Sequence, residues 1–282
     1  MSEWFEETLH DDLRQSLKAE RVLYDSKTEH QRIVLFENAL LGRVLMLDGV
    51  VQTTEADEFV YHEMLTHLPI LAHGKVRRVL IVGGGDGGML EEALKHKSLE
   101  RATLVEIDPQ VIEFSREHLS GICRGAFDDP RTEVVISDGV EYVATCEARY
   151  DLIITDSTDP IGPGEVLFTE RYYGACKRCL APGGILVTQN GVPFLQAEDL
   201  TGTMRILSRL FADSSCYLAT VPTYAGGPMA FGWASDDPAL RQAPPECLRE
   251  RFAAAGIATR YYTPEVHRGA FALPGYVAEL LD

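Results

Sequence analysis

The apolar run Val79–Val82 leads straight into five glycines, Gly83, Gly84, Gly85, Gly87 and Gly88, broken only by Asp86. An amphipathic helix pattern, MLEEALKH, follows. Strand, glycine turn and helix form the opening unit of a nucleotide-binding α/β fold. Glycine reaches backbone conformations closed to other residues and lets a ligand approach the main chain. A helix N-terminus ordinarily draws a phosphate. Asp86 would repel one, so the loop predicts a nucleoside that carries positive charge. A plain strand–helix turn explains the glycines as well, and the acids further along separate the two readings.

From Arg77 onward, strand and helix patterns alternate: RRVLIVGGG and MLEEALKHK, ATLVEID and PQVIEFSREHL, TEVVISDG and VEYVATCEA, YDLIITDSTDP and TERYYGACKRCL, then GGILVTQNG and LTGTMRILSRLFA. Repeated β-α units predict a mostly parallel sheet with helices on both faces. SSCYLATVPT and MAFGWASDD are expected to close it as an antiparallel pair, with one more helix, ECLRERFAAAG, in the tail. Before this unit, RVLYDSKT, QRIVLFEN, GRVLMLDG and VVQTT read as strands separated by turns at Glu37-Asn38 and Asp48-Gly49. Asp-Gly between apolar runs is a hairpin signal. The expectation is an N-terminal β-hairpin domain over residues 1–60 and a Rossmann-like catalytic domain over 61–282. A helical pattern at 55–72 bridges them.

Ligands of open α/β sheets bind outside the carboxyl ends of the strands. Four successive strands here end in acids: Asp86; Glu106 with Asp108; Asp138; Asp156 with Asp159. Asp108 precedes Pro109 and reads as a helix cap, with no binding role. The others are hard to explain as caps, because like charges gathered at one edge are costly unless a cation joins them. Glu106, about 20 residues after the glycine loop, is placed to accept ribose hydroxyls. Asp138 can accept a purine amine, with Gly139 admitting the base to the backbone. Asp156 and Asp159 sit in DSTDPIGPGE, a loop able to wall a pocket and move over it.

The net charge of −17 suits small cationic ligands and disfavours nucleic acid. No apolar stretch of 18 residues predicts a membrane span. The acidic start, MSEWFEETLHDD, lacks a signal pattern, so the expected location is cytoplasmic. Cys176 and Cys179 form a CxxC with no second pair nearby, and read as half-buried helix thiols rather than a zinc or redox site.

The stretches LDGVVQTTEADEFVYHEML, VLIVGGGDGG, LVEIDP, ISDG, DLIITDSTDPIGPGE and PTYAGGPMAFGWAS together resemble the polyamine aminopropyltransferases. These motifs run from about 30 to 235, within a family-matching region of about 2–236. The resemblance implies transfer of an aminopropyl group from decarboxylated S-adenosylmethionine to putrescine, giving spermidine and methylthioadenosine. It also implies an N-terminal β domain, a methyltransferase-like Rossmann domain and a homodimer or homotetramer. By motif, Gln31, Glu106, Asp138, Gly139 and Pro163 would hold the nucleoside. Tyr61, His62, Asp159 and Tyr224 would line the amine side, Asp86 would bind the aminopropyl end, and Asp156 would be the general base. Outside the resemblance, Tyr61, His62, Tyr224 and Gln31 read as ordinary helix, loop and strand residues.

The sulfonium donor is a co-substrate whose leaving group departs neutral, so no metal or cofactor is expected. The acceptor amine must lose a proton before it attacks, which a nearby carboxylate can take. Competing readings are an S-adenosylmethionine methyltransferase, a nicotinamide dehydrogenase and a non-enzymatic polyamine-binding module. Asp86 argues against the first two, since it would repel the methionine carboxylate and the pyrophosphate. Methylthioadenosine release would exclude the third. Cadaverine, agmatine and spermidine stay open as acceptors, because a few methylenes discriminate weakly.

Overall fold

The computed structural model describes residues 3–156 and 162–281, without the side chains of 162 and 163. Two short strands that sequence patterning does not reveal come first: β1 (Glu3–Glu6) pairs antiparallel with β2 (Ser16–Ala19). β3 (Arg21–Lys27), β4 (Arg32–Asn38), β5 (Gly42–Leu47) and β6 (Val50–Thr54) then form an antiparallel sheet in chain order. Leu47 pairs with Val50, leaving a two-residue turn at Asp48 (φ 48°) and Gly49 (φ 83°). Asp-Gly is the pair that tolerates two positive φ angles in succession. The other expected turn sits further along the chain. Asn38 still pairs with Gly42, and its Oδ1 accepts the N–H groups of Leu40 and Leu41 to fold the chain back.

α1 (Glu58–His73) follows, ended by Gly74 at φ 75°. Then come β7 (Arg78–Gly83), α2 (Gly88–Leu94), β8 (Arg101–Glu106), α3 (Pro109–His118), α4 (Ser120–Cys123), β9 (Thr132–Ile136), α5 (Gly139–Thr145) and β10 (Tyr150–Asp156). α6 (Glu170–Cys179), β11 (Leu180–Gln189), α7 (Ala197–Leu210), β12 (Asp213–Ala219) and β13 (Met229–Ser235) complete the sheet. The tail holds α8 (Pro245–Ala255) and two short helices that patterning misses, α9 (Pro264–Ala270) and α10 (Gly275–Ala278).

The seven strands lie in the order β12-β13-β11-β10-β7-β8-β9. β7 to β11 are mutually parallel, and β13 runs antiparallel between β11 and β12. Alternation along β7 shows why both faces are covered. Val79 and Ile81 join one buried cluster, Leu80 and Val82 the other. From β7 the chain moves outward through β8 and β9, then returns to β10 on the other flank of β7. That reversal opens a crevice between the carboxyl ends of β7 and β10.

The N-terminal sheet docks against this unit through Ile33, Leu35 and Leu45, which pack with Val111, Phe114, Leu119 and Ile122. Cys176 and Cys179 are fully buried rather than half-buried. Burial pushes both thiols up, Cys179 to about 11, which keeps them inert. Among the described residues, no helix is long and apolar enough to cross a membrane.

Candidate active site

Gly83 lies opposite Asp156 where β7 and β10 end. A Cβ on Gly83 would come within 2.0 Å of the Asp156 carbonyl oxygen, and one on Gly84 within 3.1 Å of its carboxylate. A Cβ on Gly85 would sit 2.7 Å from Glu106 Oε2. The glycines therefore let three strand ends, with their acids, converge. Above them is a cavity of about 530 Å³, roofed by the N-terminal strands.

Gln31, Tyr61, His62, Asp86, Glu106, Asp156 and Tyr224 all line this cavity. The Tyr61 hydroxyl donates to Asp156 Oδ1. The Tyr61 ring meets Tyr224 edge-on at 6.1 Å, and the Tyr224 hydroxyl donates to the Gln52 carbonyl at 2.5 Å. His62 lies between two acids, with Nδ1 2.7 Å from Glu58 Oε2 and Nε2 3.2 Å from Asp86 Oδ2. Asp86 Oδ1 accepts the Gly88 N–H at 2.9 Å. Gln31 is set by a tight turn: Thr28 Oγ1 accepts the Gln31 N–H and donates to Asp108 Oδ2 at 2.9 Å. Asp108 caps α3 as expected, and it also docks this turn, with Gln31 Nε2 3.4 Å away.

Asp138 and Gly139 are not among the residues that line this cavity, though Gly139 adjoins its wall residue Leu167. Asp138 Oδ1 caps α5 by accepting the Val140 and Glu141 N–H groups. A Cβ on Gly139 would strike Val82 Cγ1 at 2.4 Å, so packing against β7 also calls for a glycine there. Asp159 lies outside the described residues, as does the Pro163 side chain. Several wall residues escaped the sequence reading. Gln189 ends β11 just as the acids end their strands, so the same strand-end rule finds it. Gln52 had a weaker cue, as the one amide in a strand otherwise of Val and Thr. Glu7 and Gln15 lie in the connection between β1 and β2, which has no periodicity to read.

The acids differ in charge. Burial and repulsion from Asp86 push the Asp156 carboxyl up to about 7, against the Tyr61 hydroxyl and the His62 charge. Burial likewise raises Glu106 to about 7, despite the backbone N–H groups of Asp108 and Ile107. Burial opposes ionisation of Asp86 too, but His62 overcomes it and holds that carboxylate below its ordinary range. His62 in turn is raised well above its ordinary value, because Asp86 and Glu58 outweigh its own burial. Tyr61 is raised above its ordinary value, chiefly by burial, and so remains a hydrogen-bond donor.

Fold and cavity thus define a Rossmann-like α/β protein with an acid-lined crevice at its switch point. Residues 58–243 match the spermine/spermidine synthase domain, and residues 3–55 the spermidine synthase tetramerisation domain. The polyamine aminopropyltransferase of Ruegeria sp. (strain TM1040) is 59% identical over 277 residues, covering 98% of both chains. Polyamine aminopropyltransferase 1 of Pseudomonas aeruginosa is also 59% identical over 277 residues, 98% of this chain and 97% of that one. The crystal structure of a spermidine synthase in complex with the transition-state analogue AdoDATO superposes with a TM-score of 0.93 at 40% identity, covering 99% of this chain and 94% of that one. The chain belongs to the polyamine aminopropyltransferase family and is an aminopropyltransferase.

Proposed function

We propose that this chain is a spermidine synthase. It moves the aminopropyl group of decarboxylated S-adenosylmethionine to putrescine and releases methylthioadenosine. The observation that carries this reading is Asp156: partly buried at the switch point, bonded to the Tyr61 hydroxyl and poised near pH 7. A general base works best when its pKa lies near the working pH. The acceptor nitrogen attacks the aminopropyl carbon bonded to sulfur. The C–N bond forms as the C–S bond breaks, and the electron pair returns to sulfur to give a neutral thioether. The proton on the attacking nitrogen passes to Asp156. Because the leaving group is neutral, positioning supplies much of the rate.

Glu106 accepts the ribose hydroxyls and Gln31 flanks the nucleoside. Asp138, Gly139 and Pro163 keep the nucleoside roles that the resemblance gives them. Tyr61, His62, Asp86 and Tyr224 bound the amine path, with Asp159 anchoring the far ammonium. The division of labour falls near residue 60, with the N-terminal unit assembling a homodimer or homotetramer. Sedimentation equilibrium separates those two states, and a monomer would refute both.

The test is a single incubation with decarboxylated S-adenosylmethionine and each of putrescine, cadaverine, agmatine and spermidine, reading methylthioadenosine by mass. Putrescine should give the highest kcat/KM, and preference for another amine would reassign the acceptor. Asp156→Asn should lower turnover about 10²–10⁴-fold while donor binding holds. In the wild type, kcat/KM should rise as the pH climbs through about 7 and Asp156 loses its proton. Near-normal turnover in the variant would remove Asp156 from the base role.

A further inference from the structure

We propose that Glu58 is a positioning residue: it locks His62 as an imidazolium, and that cation keeps Asp86 ionised and sets the proton affinity of Asp156. This rests on the reading of Asp156 as the base.

The argument begins with the hydrogen-bonding capacity of the ring. A neutral imidazole has one N–H and one lone pair, whereas an imidazolium has two N–H donors. Both nitrogens of His62 face carboxylates, Glu58 at 2.7 Å and Asp86 at 3.2 Å. Either neutral tautomer would turn a lone pair onto one of those acids. Only the imidazolium turns an N–H, and no lone pair, towards both. The ring itself meets almost no water, at 2% exposure, with the Glu58 and Asp86 side chains at 11% and 12%. The ring also has nowhere to turn. A Cβ on Gly88 would lie 2.2 Å from His62 Cε1 and Nδ1, so the ring is seated on the bare backbone at the start of α2. Glu58 precedes His62 by one helical turn, the spacing that stacks two side chains on one face.

The titratable groups around His62 come from three further places: Asp86 after β7, Tyr61 on its own helix and Asp156 at the end of β10, with Glu106 of β8 acting on Asp156. The His62 charge lies closer to Asp156 in this chain of contacts than Glu58 does. If Glu58 is neutralised and His62 then loses its proton, Asp156 loses the nearer stabilising cation. The proton affinity of the Asp86–Asp156 pair therefore rises, whichever of the two holds the proton. The acid that remains ionised and the acid that takes the proton are thus kept distinct by a glutamate outside the cavity walls.

The experiment is an NMR pH titration of the His62 ring in the full-length protein, its signals assigned by their absence from His62→Gln. Activity profiles of the wild type and Glu58→Gln accompany it. The wild-type ring should stay charged beyond pH 8. In Glu58→Gln its midpoint should fall by about 1–3 units, the usual influence of one adjacent charge. The acid limb of kcat/KM should move to higher pH, with kcat recovered on the plateau. A merely structural role would lower kcat at every pH and leave the limb in place. A neutral wild-type ring at pH 7, an unchanged midpoint or an unmoved limb would each overturn the proposal. Failure of the wild type to release methylthioadenosine would strike the functional reading instead, and the NMR result would stand apart from it.

Discussion

Asp156 is held in a position that favours reactivity over stability. Its carboxyl titrates near 7 in the folded protein and near the ordinary 3.8 when unfolded. Between those values the folded state binds the extra proton, so this group's contribution to stability declines as pH rises across that window. The penalty is complete above pH 7. Asp156→Asn should therefore raise the thermal midpoint above the wild type's at pH 8, and the gain should shrink towards pH 5. An equal midpoint at both pH values would show that the carboxyl is not strained. This variant would be more stable and less active at once, the usual trade at a working site. The role of Asp86 also changes at this scale. The sequence presents it as one of several strand-end acids, whereas in the fold it is also the ionised partner of His62. No local pattern around His62 announces that pairing, because Asp86 arrives through the meeting of a helix and a distant loop.

Strand ends and helix starts were the legible elements. Apolar runs ending in acids mark β7 to β10, because the parallel sheet puts every such end on one edge. α1 was harder to read, because Val60–Ala72 is buried all round and one-sided periodicity is weak there. Its burial includes Glu63, which accepts the backbone N–H groups of Arg260, Tyr261 and Tyr262 at 2.7, 2.8 and 2.7 Å. The tail thus grips the helix that carries Tyr61 and His62, and Arg251 adds a bond to the Leu71 carbonyl at 2.8 Å. Glu63→Ala should cost about 2–4 kcal/mol in denaturant unfolding, since three backbone donors, that of Tyr262 buried, lose a charged acceptor. A loss under about 1 kcal/mol would show that the tail is not held this way. Asp57 does similar work at the other end of α1, accepting the Thr223 N–H at 2.7 Å beside Tyr224. Sequence alone places Asp57 in the bridging helical pattern of 55–72, and its partner is supplied only by tertiary folding.

Over the whole molecule, a charge of −17 surrounds an acidic crevice meant for cations. Such a field concentrates cationic ligands and is screened by salt. The KM for the amine should rise severalfold between low and physiological ionic strength while kcat holds. A KM indifferent to salt would confine the electrostatics to direct contacts. The strand order has a consequence of another kind, in time rather than space. β13 is the last strand made, yet it lies between β11 and β12. As the chain leaves the ribosome, Asp213–Ala219 emerges before the strand that joins it to the sheet. Until residues 229–235 follow, β12 has no neighbour in its sheet and the growing edge at β11 stays open, exposing backbone donors and acceptors to other chains. The same late strand supplies Met229 to the cavity wall. Synthesis therefore finishes the sheet and closes the binding site in one event.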